Sequence, residues 1–216
     1  TNNVKIEDAE IQNFSVDGIA FSGKNIVIRN NLIHDQWPTG DELHPDCMQG
    51  QSAPGGPKYG PVLIENNICL SDTSARHSEL FQGINIFNGA WSDVTIRCNF
   101  VRPTIWHGIS LYGTDNVKIE HNIVIGWPGV NTPWIASMPS GDQRQPKANL
   151  IAGNLSTGYL NAIYHGPISI TEMFKNLQIN PQDSSIQTTL SQEITGVTLR
   201  DNSWVNPSWD LSKDKR

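Results

Sequence analysis

Hydrophobic and polar residues alternate in a short pattern that returns along the chain. The copies read "NVKIED" at 3–8, "NIVIRNN" at 25–31, "PVLIENN" at 61–67, "DVTIRCN" at 93–99, "NVKIEHN" at 116–122 and "GVTLRDN" at 196–202, with a weaker copy, "ANLIAGN", at 148–154. Alternation of this kind predicts a β-strand that buries one face. The apolar positions of the copies, such as Ile28 and Ile64, are therefore expected to share one core.

Two further strands follow the first in each repeat. "NLIHDQW" and "NIVIGW" are second strands, and "DGIAFSG", "DCMQGQ", "QGINIFNG" and "HGISLYG" are third strands. The shortest repeats run from 3 to 25 and from 93 to 116, without helical periodicity. Such repeats predict a coil of parallel strands around one narrow core, with about seven rungs. A β-sandwich is the alternative, but it does not require three strands to recur in a fixed order.

An asparagine stands at the same place after the first strand of most repeats. These residues are Asn31, Asn67, Asn99, Asn122 and Asn202. In a coil with the usual interstrand spacing of about 4.8 Å, the side-chain amides can hydrogen-bond one another and the backbone of the turn. Hairpins would not require asparagine at each of these positions, so the series favours the coil.

The order of strands and asparagines resembles the right-handed parallel β-helix superfamily typified by pectate lyases, which also includes polygalacturonases, mannuronan epimerases and many phage tailspikes. The resemblance covers residues 1–160 and implies an all-β, right-handed parallel β-helix. It implies no single activity, because this fold hosts many. We expect one β-helix domain over residues 1–216, in which residues 160–195 form an irregular insertion or capping segment with a short helix near 170–176.

Composition and charge narrow the classes of partner. The formal net charge of −6 argues against a nucleic-acid surface but leaves an acidic polysaccharide open, because a local basic strip can override it. No apolar run is long enough to span a bilayer. The three cysteines, Cys47, Cys69 and Cys98, are interpreted as small buried hydrophobic residues. The chain begins at Thr1, which suggests a mature form or an excised piece, and we expect an extracellular, periplasmic or virion-surface location.

Aligned third strands place polar side chains in columns. Ile19, Met48, Ile84 and Ile109 are expected to point inward, Ala20, Gln49, Asn85 and Ser110 to point outward, and Asp17, Asp46, Gln82 and His107 to share the strand entry. Rigid strands would hold the polar groups at fixed spacing, which suits a preorganised site. The stretch "GDELHPDCMQGQ" at 40–51 is then half turn and half strand. Cys47 falls where other rungs have glycine, which predicts tight packing there.

Long insertions flank this face of the predicted coil. They occupy 35–45, 52–60, 71–81 and 126–147 and carry aromatic and basic residues such as Trp37 and Arg76. Aromatic rings stack on sugars, and arginine holds carboxylates or sulfates. We therefore predict a groove for a polysaccharide.

Lyase or epimerase chemistry on a uronic acid fits the residues of this groove. His44 or His107 is the predicted base, Asp46 orients an imidazole, and Tyr112 or a second histidine is the acid. The predicted substrate-binding residues, which would neutralise or stack on the sugar, are Gln49, Gln82, Asn85, Arg76, Trp37 and Tyr112. The segment His44-Pro45-Asp46 is similar to the Asp-Pro-His-Glu element of mannuronan epimerases, but its order differs and no role transfers. Asp41, Glu42 and Asp46 allow calcium as a cofactor, although no residue is assigned as a metal ligand.

Two other functions remain open at this level. Glycoside hydrolysis needs two carboxyl groups, for which Asp46 could pair with Asp41, Asp35 or Glu79, although the paired-aspartate pattern of polygalacturonases is absent. A non-catalytic glycan-binding or tail component would instead need a partner surface. Phe87, Trp91 and Trp106 are the candidates for an apolar outer strip, and a homotrimer is expected if the protein is part of a virion. An enzyme is favoured over these binding roles.

Overall fold

The strands form three parallel sheets that wind around a single core. The computed structural model describes residues 3–37, 44–52, 55–71, 80–127, 133–142, 144–160, 171–174, 176–179, 197–200 and 203–205, and for the strands beyond residue 158 it describes the backbone. Each pass of the chain contributes one strand to each sheet in turn, and all neighbouring strands are parallel. The described residues therefore form a parallel β-helix, as predicted.

Sheet A holds eight of the described strands and sheet B holds another eight. Those of sheet A are β1 (Val4–Glu7), β4 (Ile26–Arg29), β7 (Val62–Glu65), β10 (Ser92–Arg97), β13 (Asp115–Glu120), β16 (Asn149–Ala152), β19 (Thr171–Phe174) and β21 (Val197–Arg200). Those of sheet B are β2 (Glu10–Ile11), β5 (Leu32–His34), β8 (Ile68–Leu70), β11 (Phe100–Arg102), β14 (Ile123–Val124), β17 (Leu155–Ser156), β20 (Leu177–Ile179) and β22 (Ser203–Val205).

Sheet C contains the six described third strands of the rungs. They are β3 (Ile19–Phe21), β6 (Asp46–Gly50), β9 (Gln82–Ile86), β12 (His107–Tyr112), β15 (Trp134–Met138) and β18 (Tyr159–Leu160). The strand β15 lies inside the segment 126–147, which the sequence analysis treated as an insertion. Its sequence, "WIASM", has neither the glycine that precedes the inward residue in most third strands nor a polar residue at the position of Gln49, Asn85 and Ser110, so the repeat pattern does not reveal it.

The predicted registers between first strands are confirmed. Ile28 pairs with Ile6 on one side and with Ile64 on the other, and the same row continues through Ile96 and Ile119. These isoleucines, apart from Ile6 on the first rung, are fully buried. Stacking like residues in successive rungs fills the narrow core without voids, which stabilises the coil through apolar burial.

The short helix predicted near residues 170–176 is wrong. Thr171–Phe174 is the strand β19, and it pairs in register with β16 and β21. Sheets A and B consequently hold one strand more than the seven repeats found in the sequence. The repeat is hard to recognise here because "TEMF" has threonine and methionine at the two register positions that most other copies fill with valine and isoleucine. The rest of the predicted irregular segment lies outside the described residues, except for Leu177–Ile179 and Asn176.

The asparagine series is a hydrogen-bonded ladder, and it is longer than predicted. In each step the Oδ1 atom of one asparagine accepts both the backbone and the side-chain N–H of the previous one, as between Asn67 and Asn99 at 2.9 and 3.0 Å. Asn154 and Asn176 extend the ladder. Asn202 lies outside the described residues. These bonds satisfy buried backbone groups at the turn between sheets A and B.

The residue just before the ladder asparagines from Asn31 to Asn154 adopts a left-handed backbone conformation. The series consists of Asn30, Asn66, Cys98, His121 and Gly153, with φ between 55° and 63°, and Asp8, which precedes Ala9 on the first rung, has the same conformation. Asparagine, aspartate and glycine tolerate this conformation best. Cys98 is therefore an exposed turn residue, and its interpretation as a buried hydrophobic residue was wrong.

Cys47 and Cys69 form a disulfide bond between sheets C and B, which corrects their interpretation as separate apolar residues. The reason lies in the neighbouring rungs. On those rungs a glycine of sheet C stands at the position of Cys47 and packs against an inward valine of sheet B. A Cβ atom added to Gly83 would lie 2.6 Å from Val101, and one added to Gly108 would lie 2.5 Å from Val124. Tight packing at the Cys47 position was predicted correctly. A covalent bond permits the close approach that two unbonded side chains would not.

Charged residues alternate in sign along the outer face of sheet A. Arg29 contacts Glu7 at 2.9 Å and Glu65 at 3.9 Å, and Arg97 contacts Glu65 at 2.6 Å. Exposed ion pairs add little stability, so their main effect is to favour one register over its neighbours. Among the described residues, no helix has the length and apolar character needed to cross a membrane.

Candidate functional site

The outer face of sheet C carries the predicted polar columns in the predicted register. Gln49 pairs with Ala20 and Asn85, and Asn85 pairs with Ser110 on the next rung. The inward column from Ile19 to Ile109 is buried, as expected. Asp46 pairs with Gln82, so the strand entries are also aligned.

A bulge at the glycine column turns the strand entries outward. The position of Gly108 faces sheet B, and the next residue, Ile109, also faces the core. Two consecutive inward positions break the two-residue alternation, and the pairing of β12 with β15 shifts register at the same point. His107 consequently lies on the same face as Ser110, although regular alternation would place them on opposite faces.

Asp46 is the most perturbed acid of this face. Its side chain is only 1% exposed, and no described group hydrogen-bonds either carboxylate oxygen with good geometry. Burial, reinforced by the nearby Asp17, raises the pKa of Asp46 to about 8, although the amides of Asn85 and Gln49 act in the opposite direction. Asp46 is therefore mainly protonated at neutral pH, a state in which it donates a hydrogen bond. The role predicted for it, orienting an imidazole, stays a prediction, since no described histidine hydrogen-bonds its carboxyl oxygens.

Asp17 belongs to the site, but it was not among the predicted functional residues. Its Oδ1 atom accepts a hydrogen bond from the backbone N–H of Asp46 at 3.1 Å, and burial raises its pKa as well. Two carboxyl groups thus lie on successive rungs. The aligned third strands place Asp17 in the same column as Asp46, but the acid partners predicted for Asp46 were Asp41, Asp35 and Glu79.

His107 lies in an aromatic pocket on the next rungs. Its ring makes edge contacts with Phe87 and Trp134, with centroids 5.0 and 4.8 Å apart, and Trp106 and Tyr112 complete the surroundings. Burial, together with the nearby His44, lowers the pKa of His107 to about 4. The imidazole is neutral at physiological pH.

The three amide residues form the floor between Asp46 and His107. The Nδ2 atom of Asn85 donates to the Oε1 atom of Gln82 at 3.2 Å, while the fully buried Oδ1 atom of Asn85 has no partner among the described groups. Gln49 accepts a hydrogen bond from Gln51, which follows the end of the strand. This floor carries no formal charge.

The remaining predicted site residues have different locations. Burial raises the pKa of Tyr112 to about 12, so its hydroxyl stays protonated beside Phe87 and His107. His44 is exposed at the rim. Trp37 is 42% exposed, and no described contact joins it to the polar columns. Arg76, Asp41, Glu42 and Glu79 lie outside the described residues.

The apolar outer strip suggested by Phe87, Trp91 and Trp106 does not exist in that form. Trp91 is only 1% exposed and packs against Phe21 and Tyr59, while Phe87 belongs to the pocket of His107. Apolar side chains line the outer face of sheet B instead. Their column consists of Leu32, Ile68, Phe100, Ile123 and Leu155, in which Ile68 is 43% and Ile123 is 39% exposed.

Comparison with known proteins agrees with the fold. A family model described as a right handed beta helix region matches residues 1–132, which is more than half of the chain. The chain belongs to this family of right-handed parallel β-helices. Comparison with curated proteins and with solved structures found no match.

Proposed function

We propose that this protein acts on an acidic polysaccharide and that the outer face of sheet C binds a uronic acid and catalyses β-elimination or C5 epimerisation. The observation that carries the proposal is a buried carboxyl, that of Asp46, on the same rigid face as an imidazole held between aromatic rings, that of His107. Burial raises the pKa of Asp46 and lowers the pKa of His107. Such a face presents hydrogen-bond donors, and among its acids Asp17 is the one that carries the negative charge.

Binding of the uronate carboxylate uses the polar floor. The half-buried side-chain amide of Gln49 can donate N–H groups to a substrate oxygen, while the carboxyl oxygens of Asp46 and most of Gln82 are buried in this structure. Donors fixed by strands before the substrate arrives need no reorganisation, and each such group is worth roughly 3 kcal/mol to a transition state in which charge develops. The aromatic rings around His107 supply apolar faces for the sugar.

The proton chemistry needs one base and one acid. A histidine, His44 or His107, removes the proton on C5, and the electron pair moves into the carboxylate-stabilised enolate. In elimination the C4–O bond then breaks, a C4–C5 double bond forms, and the leaving oxygen takes a proton. In epimerisation a proton returns to C5 from the opposite face. Tyr112 is the candidate donor because its protonated hydroxyl belongs to the ring cluster of His107 and Phe87, although burial raises its pKa to about 12 and so weakens it as an acid.

Glycoside hydrolysis is the second candidate, and it is favoured by the carboxyl pair of Asp17 and Asp46. The coupling between the two groups raises the pKa of Asp46 further, which is how an acid is kept protonated beside an ionised partner. In this scheme Asp46 would protonate the leaving oxygen, while Asp17 would act as nucleophile or base.

Three further features belong to the proposal. The disulfide between Cys47 and Cys69 supports an oxidising location, which means extracellular, periplasmic or on a virion. The apolar column on sheet B supports assembly with other copies, such as the homotrimer expected for a virion component. Calcium remains a candidate cofactor on the sequence grounds given by Asp41, Glu42 and Asp46.

The test is a panel of uronic-acid polysaccharides and neutral glycans incubated with the full chain. Elimination produces ultraviolet-absorbing unsaturated ends, epimerisation in D₂O places deuterium at C5, and hydrolysis produces reducing ends without absorbance. Asp46→Ala should abolish the product, while Thr95→Ala on the outer face of sheet A serves as the control. If reducing ends form without ultraviolet absorbance and without deuterium at C5, the protein is a glycoside hydrolase and the elimination or epimerisation proposal is wrong. Binding without any product, measured by calorimetry, would leave a non-catalytic glycan-binding protein.

A further inference from the structure

A chain of two hydrogen bonds links Trp134, Ser110 and His107 on neighbouring rungs of sheet C. The Nε1 atom of Trp134 lies 2.7 Å from the Oγ atom of Ser110, and Oγ lies 3.1 Å from the Nδ1 atom of His107. Ser110 is fully buried, and these two contacts are the hydrogen bonds that its hydroxyl makes among the described residues.

The direction of these two hydrogen bonds follows from which of the three groups can donate and which can accept. The indole N–H of Trp134 can only donate, so Ser110 accepts from it. If the Nδ1 atom of His107 also donated to Ser110, the buried hydroxyl proton would have no acceptor. An unmade buried hydrogen bond costs about 1–3 kcal/mol. Ser110 therefore donates to Nδ1, and the proton of the neutral imidazole lies on Nε2.

We propose that the Trp134–Ser110–His107 chain fixes His107 as a hydrogen-bond donor, which presents its Nε2–H to the groove and binds the substrate carboxylate. The basic nitrogen of His107 is occupied by Ser110, so His44 is the base and Ser110 and Trp134 are positioning residues. The role in substrate binding rests on the proposed function, whereas the tautomer does not.

The surroundings of the ring agree with a fixed donor. His107 is half-buried. No described side chain hydrogen-bonds its Nε2 atom, and this atom is accessible to solvent. Phe87 and Trp134 contact the ring edge-on at interplanar angles of 82° and 87° and restrict its rotation. A ring flip would lose the bond to Ser110.

The tautomer is measured by long-range ¹H–¹⁵N correlation on the full chain labelled with ¹⁵N-histidine, with His107 assigned by the signal missing from His107→Gln. The expected spectrum has a protonated Nε2 and an unprotonated Nδ1 in His107 at neutral pH. Ser110→Ala and Trp134→Phe should each yield a mixture of tautomers, while Ser110→Thr should restore the parent spectrum. A protonated Nδ1 in the parent, or an unchanged spectrum in Ser110→Ala, overturns the proposal.

Kinetics on whichever uronate polymer is cleaved or epimerised then tests the assigned roles. Glutamine keeps a neutral N–H near the Nε2 position, so His107→Gln should act mainly through KM and leave kcat within about tenfold, whereas His44→Gln should lower kcat by at least about 100-fold. The reverse pattern would make His107 the base. If the spectra are as expected but no polymer reacts, the tautomer stands and the proposed function fails.

Discussion

Replacing Asp46 by asparagine is expected to stabilise the protein at alkaline pH, because the buried carboxyl resists ionisation. The folded protein holds the Asp46 proton up to a pKa of about 8, whereas an unfolded chain loses it near the ordinary value of 3.8. In between, the folded state binds more protons than the unfolded state. The free energy of unfolding therefore falls as pH rises through this window.

The effect of Asp46 on the free energy of unfolding is easiest to isolate above pH 6.5, the ordinary pKa of histidine. Below it, His107 works in the opposite direction, because its folded pKa is lowered and its contribution to stability grows with pH. From pH 6.5 to about 9, linkage for a pKa of about 8 predicts that Asp46 removes about 2 kcal/mol of stability. Asp46→Asn should lack this loss.

The assay is denaturant unfolding followed by tryptophan fluorescence, without reductant, at several pH values across this range. The parent curve should slope downward, and the Asp46→Asn curve should be flatter by about 2 kcal/mol over the window. Asp8→Asn is the matched control, since Asp8 is exposed at a turn position that Asn30 and Asn66 occupy on the next rungs. Equal slopes for the parent and Asp46→Asn would refute the assigned pKa and its cause.

Three structural substitutions test the packing rules of the coil. Cys47→Gly with Cys69→Val copies the next rung and should keep the circular dichroism spectrum, while stability falls by about 3 kcal/mol because the cross-link over a separation of 22 residues is lost. Asn99→Ala should cost about 3 kcal/mol in denaturant unfolding, because it leaves the buried N–H of Asn67 unpaired. Arg97→Ala, at an exposed ion pair, should leave the unfolding midpoint nearly unchanged.

Each of these substitutions has an outcome that contradicts its reasoning. A double cysteine variant that fails to fold would mean that the glycine–valine packing of the neighbouring rungs is not transferable. An Asn99→Ala variant as stable as the parent would mean that the ladder does not stabilise the fold by hydrogen-bonding buried backbone groups. A large loss of stability in Arg97→Ala would show that the charged residues on the outer face of sheet A stabilise the fold. Cys98→Asn, at a left-handed turn position, is the control expected to be neutral or slightly stabilising.

The sequence predicted which third-strand residues of the site lie side by side on neighbouring rungs. The repeat positioned Gln49, Asn85 and Ser110 in one outward column, and the structure has that register. Such predictions succeed because strand registers in a coil are set by local, repeated patterns. The same approach missed β15 and β19, since their sequences depart from the repeat even though their backbones follow it.

The chemical state of the site could not be predicted in this way. Asp17 and Asp46 are ordinary aspartates in the sequence, and their raised pKa values come from burial and from each other. The bond of His107 to Ser110 depends on a bulge that brings residues three apart to one face. Trp91 was a candidate for an apolar outer strip, but the rings of Phe21 and Tyr59 pack against it and it is buried.

The sequence alone determined the coil, the rows of its core and the asparagine ladder, because each depends on which residue type recurs at a fixed interval. Only the tertiary structure decided that Cys47 bonds to Cys69, that Asp46 holds its proton and that His107 is neutral. These properties depend on how closely groups from different sheets and rungs approach and how much water reaches them. No repeat pattern encodes those distances.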